Sequence, residues 1–261
     1  MAGEVMLDFP EYYSGIRPFK HLFRKGLPIL TYHKIGPRPR GARLKGLYLG
    51  ARTFRNHLKE LKNNGFCFTS PKDARSLQVP NDRVIITFDD AYENVFRYAL
   101  DALKEEKAKA VLFVIAGMIG QTNTWDAVLG EAEERLMDEV QIREWVQEGQ
   151  LIGSHTLSHS HLSRLSPVQV KNEVCRSKVL LEDKFGVPVN HFCYPYGDLS
   201  PAVVECVREA GYQTACTVER GVNFADTDPW MLKRWTARYP SRKLKNYWHR
   251  FRWLLRDMFQ R

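Results

Sequence analysis

The sequence predicts an α/β fold built on parallel strands, a barrel short of eight strands, and three observations carry that prediction. Apolar, β-branched runs alternate with helical patterns in roughly six or seven βα units. The strand runs are apolar throughout rather than alternating, as strands covered on both faces are. Several end abruptly in polar, chemistry-bearing residues. A parallel barrel and a doubly wound sheet both satisfy the alternation. The barrel is preferred because residues from many strands must converge on one point.

The elements follow in order. Pro28 to Tyr32 reads as a strand ending at His33, and residues 36–50, rich in Gly, Pro and Arg, read as a loop. Thr53 is the expected N-cap of a helix whose inner face carries Phe54, Leu58 and Leu61. Phe66–Thr69 and Val84–Phe88 are strands, Tyr92–Glu106 a helix, and Ala110–Ile115 another buried strand. Residues 116–137 form an excursion with some helix. Glu139–Glu148 is a helix stopped by Gly149, and Leu151–Ser154 a strand. Ser166-Pro167 and Ser200-Pro201 each place an N-cap before a proline at the first helical position. The first opens a helix to about Phe185. His191–Tyr194, Gln213–Val218 and Leu232–Ala237 complete the strands.

Composition bounds the function. The chain has 261 residues, 44% of them hydrophobic, enough for one large core. No run reaches the roughly 18 apolar residues that span a bilayer. Met1–Pro10 lacks an apolar signal region, so residence in the cytoplasm is expected. Five cysteines without C-x-x-C spacing are expected to be free thiols. The net charge of +9 is concentrated in the tail: Lys233–Arg261 holds ten Lys/Arg and one acid, leaving 29 bases and 29 acids elsewhere. The expected organisation is an N-terminal extension (1–27), a barrel (28–240) and a basic C-terminal helix (241–261).

The chemistry is concentrated in three segments. Val84-Ile85-Ile86-Thr87-Phe88 stops at Asp89-Asp90, as a strand delivering acids to a barrel mouth does. Helix capping by the two acids is the alternative reading. Ser154-His155-Thr156-Leu157-Ser158-His159 spaces two imidazoles four apart, on one side of a helix or tight loop. Two imidazoles and one carboxylate are a usual ligand set for a catalytic divalent metal, and the second carboxylate is left to take a proton from water. His161 is read as a neighbour rather than a ligand. In Phe192-Cys193-Tyr194-Pro195-Tyr196-Gly197, Pro195 and Gly197 shape a turn that aims a backbone N–H at a ligand.

Together these segments resemble the polysaccharide deacetylases (NodB-homology, carbohydrate esterase family 4). Thr87-Phe88-Asp89-Asp90 matches the first motif, T-F-D-D-G, with Ala91 in place of Gly. His155, Thr156 and His159 meet H-[ST]-x-x-H in full. Cys193-Tyr194-Pro195-Tyr196-Gly197 matches R-x-P-[YF]-G with Cys for Arg. The resemblance spans about residues 28–237 and implies a distorted (β/α)7 barrel that removes N-acetyl groups from hexosamines, as in exopolysaccharide synthesis. It implies Asp89 as base, Asp90, His155 and His159 as metal ligands, and the Tyr196 N–H as oxyanion donor. Tyr194, Pro195 and Arg234 are expected to line the substrate, and Arg234 also to substitute for the absent motif-three Arg. The family's late L-x-H acid is missing. The branch acting on poly-N-acetylglucosamine has an early Tyr-His, so His33 is expected as the acid. Zinc is the default metal for such a ligand set, with cobalt, nickel or iron as alternatives.

Leu244–Phe259 repeats apolar and aromatic residues at helical spacing among Lys and Arg. It suits either an anionic membrane surface, reached from the inner face, or docking on the barrel. The expected partner is an N-acetylated sugar, free or lipid-linked, and no nucleic acid. The competing functions are deacylation or deformylation of another C–N amide, and glycan binding without catalysis.

Overall fold

The structure is a computed structural model, which describes residues 9–76 and 80–239. The expected C-terminal helix, 241–261, lies outside the described residues. The strands are β1 Leu27–Tyr32, β2 Lys34–Ile35, β3 Tyr48–Leu49, β4 Cys67–Thr69, β5 Arg83–Phe88, β6 Ala110–Val114, β7 Leu151–Ser154, β8 His191–Cys193, β9 Thr214–Cys216, β10 Val222–Asn223 and β11 Trp235–Thr236. The α-helices are α1 Lys20–Lys25, α2 Ala51–Asn63, α3 Glu93–Glu106, α4 Glu139–Gln147, α5 Pro167–Lys171, α6 Ser177–Phe185 and α7 Pro201–Glu209.

The main sheet runs β10-β1-β5-β6-β7-β8-β9, with β11 also on β1 and β4 on β5. Every pairing is parallel except β1 with β10. The 231–237 segment bridges the ends of the curl. Leu232 pairs with Cys216, and Trp235–Thr236 pair with Leu30–Thr31. Seven parallel staves (β1, β5, β6, β7, β8, β9, β11) therefore surround one interior. The last is two residues long, which makes the barrel irregular.

Period-two alternation divides the core. Leu27, Ile29, Ile85, Val111, Phe113, Cys193, Cys216 and Leu232 pack inside the barrel. Leu30, Tyr32, Val84, Ile86, Phe88 and Leu112 face the helices. Gly153 belongs to this geometry, because a Cβ there would come within 2.6 Å of the Phe113 ring and 2.8 Å of the His191 carbonyl.

Two local features depart from the sequence reading. Helix α2 begins after Gly50, which gives it no side-chain cap, so Thr53 is not its N-cap. The helix opened by Pro167 is interrupted by a π-helical turn at Asn172–Arg176. The N-terminal segment from residue 9 is packed into the body. Tyr13, Phe19 and Phe23 are fully buried, Phe19 meets Trp235 edge-on at 4.9 Å, and Tyr13 N–H donates to Thr236 O at 2.9 Å.

Candidate active site

The same alternation aims the site residues. On β1, positions 27, 29 and 31 point inward, and the next in phase is His33. On β5 they are 85 and 87, followed by Asp89. On β7 the inward Gly153 is followed by His155, and on β8 the inward residue is Cys193. The C-terminal ends of four strands thus deliver these side chains to one mouth.

Asp90 should point away from that mouth, and a backbone reversal brings it back. Asp90 has φ 71° and Ala91 φ 56°, both left-handed. Such a conformation costs a non-glycine residue on the order of 1–2 kcal/mol. Neither acid caps the following helix. The N-cap of α3 is Tyr92, without a side-chain hydrogen bond. The histidine segment is a tight loop rather than a helix, with Thr156 at φ 69° and His159 at φ 62°. Thr156 Oγ1 accepts the His159 N–H at 3.0 Å and pins the turn.

Asp90 Oδ1 lies 3.3 Å from Nε2 of His155 and 3.3 Å from Nε2 of His159. Both Nδ1 atoms are occupied elsewhere: His155 Nδ1 donates to Cys193 O at 2.7 Å, and His159 Nδ1 meets Tyr196 Oη at 3.1 Å. Outer partners of this kind orient imidazoles as metal ligands. Donors on a tetrahedral cation with bonds of about 2.0–2.1 Å stand about 3.3 Å apart, so the three side chains fit a divalent metal. Asp89, His155 and Cys193 also converge, but both Asp89 oxygens are engaged by Arg234, so that set does not fit. Burial pushes the Asp90 carboxyl upward, but the two histidine contacts hold it well below the ordinary range.

Asp89 sits beside this group and outside it. Arg234 grips it with two prongs, Nη1 to Oδ1 at 2.7 Å and Nη2 to Oδ2 at 2.8 Å, while Arg234 Nε donates to Thr217 O at 2.8 Å. Burial opposes ionisation of Asp89, and the Arg234 guanidinium overcomes it, keeping the carboxyl below its ordinary value. Cys193 Sγ is 3.1 Å from Arg234 Nη2. A small side chain at 193 leaves the barrel interior free for a guanidinium that arrives from the other side. His33 Nε2 is 3.8 Å from Asp89 Oδ2. Burial depresses the His33 imidazole despite Asp89 and Asp90, so at rest it is neutral at pH 7.

Three expected substrate contacts need correction. Tyr194 is buried with its hydroxyl donating to Trp230 O at 3.1 Å, and Pro195 is buried behind it. Neither side chain has an open face for a sugar. Arg234 is 4% exposed and committed to Asp89, so it positions the carboxylate rather than the substrate. Tyr196, in contrast, is exposed with a left-handed backbone (φ 59°), and its ring stacks on His161 at 4.0 Å. His161 is thus the neighbour expected.

Two residues escaped the sequence reading. Glu173, on the π-helical turn, accepts from Leu157 N–H (2.9 Å), Ser158 N–H (2.9 Å) and Ser158 Oγ (2.7 Å). It braces the loop between the two histidines. Trp125 packs on His159 with ring centroids 4.6 Å apart. A buried acid in a helix interior at E-V-C-R was the only signal for the first. Nothing in the sequence singled out the second.

The family model for polysaccharide deacetylases matches residues 77–215. The protein YxkH of Bacillus subtilis (strain 168) is 31% identical over 214 residues, 80% of this chain and 70% of YxkH. A poly-beta-1,6-N-acetyl-D-glucosamine N-deacetylase of Staphylococcus aureus (strain MRSA252) is 23% identical over 198 residues, 73% of this chain and 68% of its own. The solved structure of IcaB from Ammonifex degensii superposes with a TM-score of 0.71 at 27% identity, covering 86% of this chain and 97% of that one. These matches join the curled parallel sheet and its three motifs in one assignment: the chain belongs to the polysaccharide deacetylase family, N-deacetylases that hydrolyse carbon–nitrogen bonds.

Proposed function

We propose that the protein is a metal-dependent deacetylase of an N-acetylhexosamine glycan, with Asp90, His155 and His159 as ligands and Asp89 as the base. The observation that carries this reading is the division of labour between adjacent acids. Asp90 faces two Nε2 atoms at 3.3 Å, while both oxygens of Asp89 are taken by Arg234. The reaction consumes one water and yields acetate and a free amine. A divalent cation at the three ligands supplies Lewis acidity and a lowered water pKa.

The protein's own groups do the rest. Asp89, ionised at neutral pH, takes a proton from the attacking water. The Tyr196 N–H donates to the carbonyl oxygen as charge builds on it, an interaction worth about 2.7–4 kcal/mol in such sites. The amide nitrogen leaves only when protonated. His33 is neutral at rest, so it donates after gaining a proton, and the nearest source is the one Asp89 has taken. Each such proton transfer contributes roughly 10²–10⁴-fold. The amphipathic pattern of 244–259 supports contact with an anionic membrane surface from the cytoplasmic side.

Acetate release from a panel of N-acetylglucosamine oligomers, with and without chelator, tests the reading. Release that stops on chelation and returns with added zinc is expected. Chelator-resistant release removes the metal, and no release from any N-acetylated sugar removes the activity.

A further inference from the structure

We propose that loop 36–47 is a subsite for phosphate groups carried by the glycan substrate; the inference rests on the deacetylase reading. The body of the protein is neutral in sum but polarised along the chain. Between Glu11 and Glu60 there are twelve Lys/Arg and no acid. Four of them, Arg38, Arg40, Arg43 and Lys45, fall within eight residues and line an open cavity of about 620 Å³. All four are exposed.

The loop is joined to the mouth through the chain. It leaves through β2, whose first residue follows His33 directly, and returns through β3, paired Lys34↔Tyr48 and Ile35↔Leu49. It is also held in shape from beneath. Glu131 Oε2 accepts the N–H of Arg43 at 2.8 Å and of Leu44 at 2.6 Å. Glu131 Oε1 accepts from Tyr48 Oη at 3.2 Å and lies 3.8 Å from Lys34 Nζ. That carboxylate is fully buried and engaged with backbone N–H groups and Lys34. The Arg238 guanidinium rests against the same loop, where a Cβ on Gly46 would come within 2.7 Å of its Cζ. Among the described residues no ion pair engages Arg38, Arg40 or Lys45.

Charge decides which glycan suits this rim. Deacetylation turns a neutral acetamide into an amine that carries positive charge when protonated. A cationic rim repels a polymer that has already lost acetyl groups. A phosphate-bearing glycan is attracted instead, and guanidinium forks match phosphate oxygens in pairs. Attraction of this kind acts on encounter and weakens with salt.

The test compares two N-acetylglucosamine oligomers of equal length, one neutral and one with a phosphodiester, in the full chain and in Arg38→Gln/Arg40→Gln/Lys45→Gln. The wild type should show a KM at least tenfold lower for the phosphorylated oligomer at low salt, competed by inorganic phosphate. The triple variant should lose that preference while its kcat and KM for the neutral oligomer stay unchanged. Equal KM values in the wild type, or an undiminished preference in the variant, would overturn the subsite. Flotation with phosphatidylglycerol vesicles should be equal for both proteins. A loss confined to the variant would assign the loop to lipid headgroups and overturn the proposal. If neither oligomer releases acetate, the deacetylase reading fails on its own. Calorimetric titration of the phosphorylated oligomer, expected to bind wild type at least tenfold more tightly than the variant, then decides the subsite separately.

Discussion

Arg234 and Asp89 are locked in a two-pronged ion pair inside the barrel, at 2.7 and 2.8 Å, although 145 positions separate them in the chain. The pair fixes both the charge and the direction of the carboxylate. Removing the cation in Arg234→Met leaves a buried acid without its paired charge, which typically costs about 3–5 kcal/mol of stability. Asp89 is then expected to titrate at higher pH. The acid limb of the pH–rate profile for acetate release should move upward in Arg234→Met. In Arg234→Lys it should move less, with a rate still reduced because the fork is gone. An unmoved limb in Arg234→Met would show that Asp89 is not the titrating base.

Ala91 stands where the family motif has glycine, at φ 56°. Glycine adopts that conformation without steric cost, but it also gains freedom when unfolded. Ala91→Gly should therefore stabilise the protein by a net of about 1 kcal/mol or less, a rise of about 2–4 °C per kcal/mol in Tm for a chain of this size. A fall in Tm would mean that the methyl group's packing outweighs the strain.

Glu173 braces the loop between the two histidines through three hydrogen bonds. Glu173→Ala removes the acceptor of two backbone N–H groups and one hydroxyl and should weaken zinc binding about 10–100-fold, as loss of outer partners typically does. Glu173→Gln, which keeps an acceptor, should weaken it less. Competition titration against a chromogenic chelator reads this directly. Equal zinc affinity in all three proteins would make Glu173 a bystander.

His57 and His191 titrate near 4 in the folded protein because both are buried. Unfolded imidazoles titrate near 6.5. Between these values the unfolded chain binds more protons, so stability is full above about pH 6.5 and declines as pH falls towards 4. The difference corresponds to about 3 kcal/mol per imidazole. Urea midpoints measured from pH 7.5 to 4 should fall through this window, and His57→Gln/His191→Gln should flatten the decline. A pH-independent midpoint would contradict the buried neutral state.

Much of this was legible in the sequence, and the reasons are physical. Uniformly apolar runs identified β1, β5 and β6, because strands covered on both faces need no polar alternation. The Asp89-Asp90 and His155–His159 spacings located the centre, because ligand chemistry restricts residue types. What stayed hidden depended on direction rather than type. Tyr194 looked like a substrate contact until alternation turned it towards the helices. Arg234 sits before a two-residue strand, too short to leave a pattern, and its partner is set only when the curl closes. Glu173 reaches its loop through a π-helical turn that a regular 3.6-residue period does not predict.

The most direct test is zinc content and acetate release measured side by side in wild type, Asp89→Asn and Asp90→Asn. The division of roles predicts that Asp89→Asn keeps near-stoichiometric zinc and loses turnover by 10² or more, whereas Asp90→Asn loses both. If Asp89→Asn lost zinc as readily as Asp90→Asn, or released acetate at the wild-type rate with zinc bound, the assignment of one acid to the metal and the other to the water would be wrong.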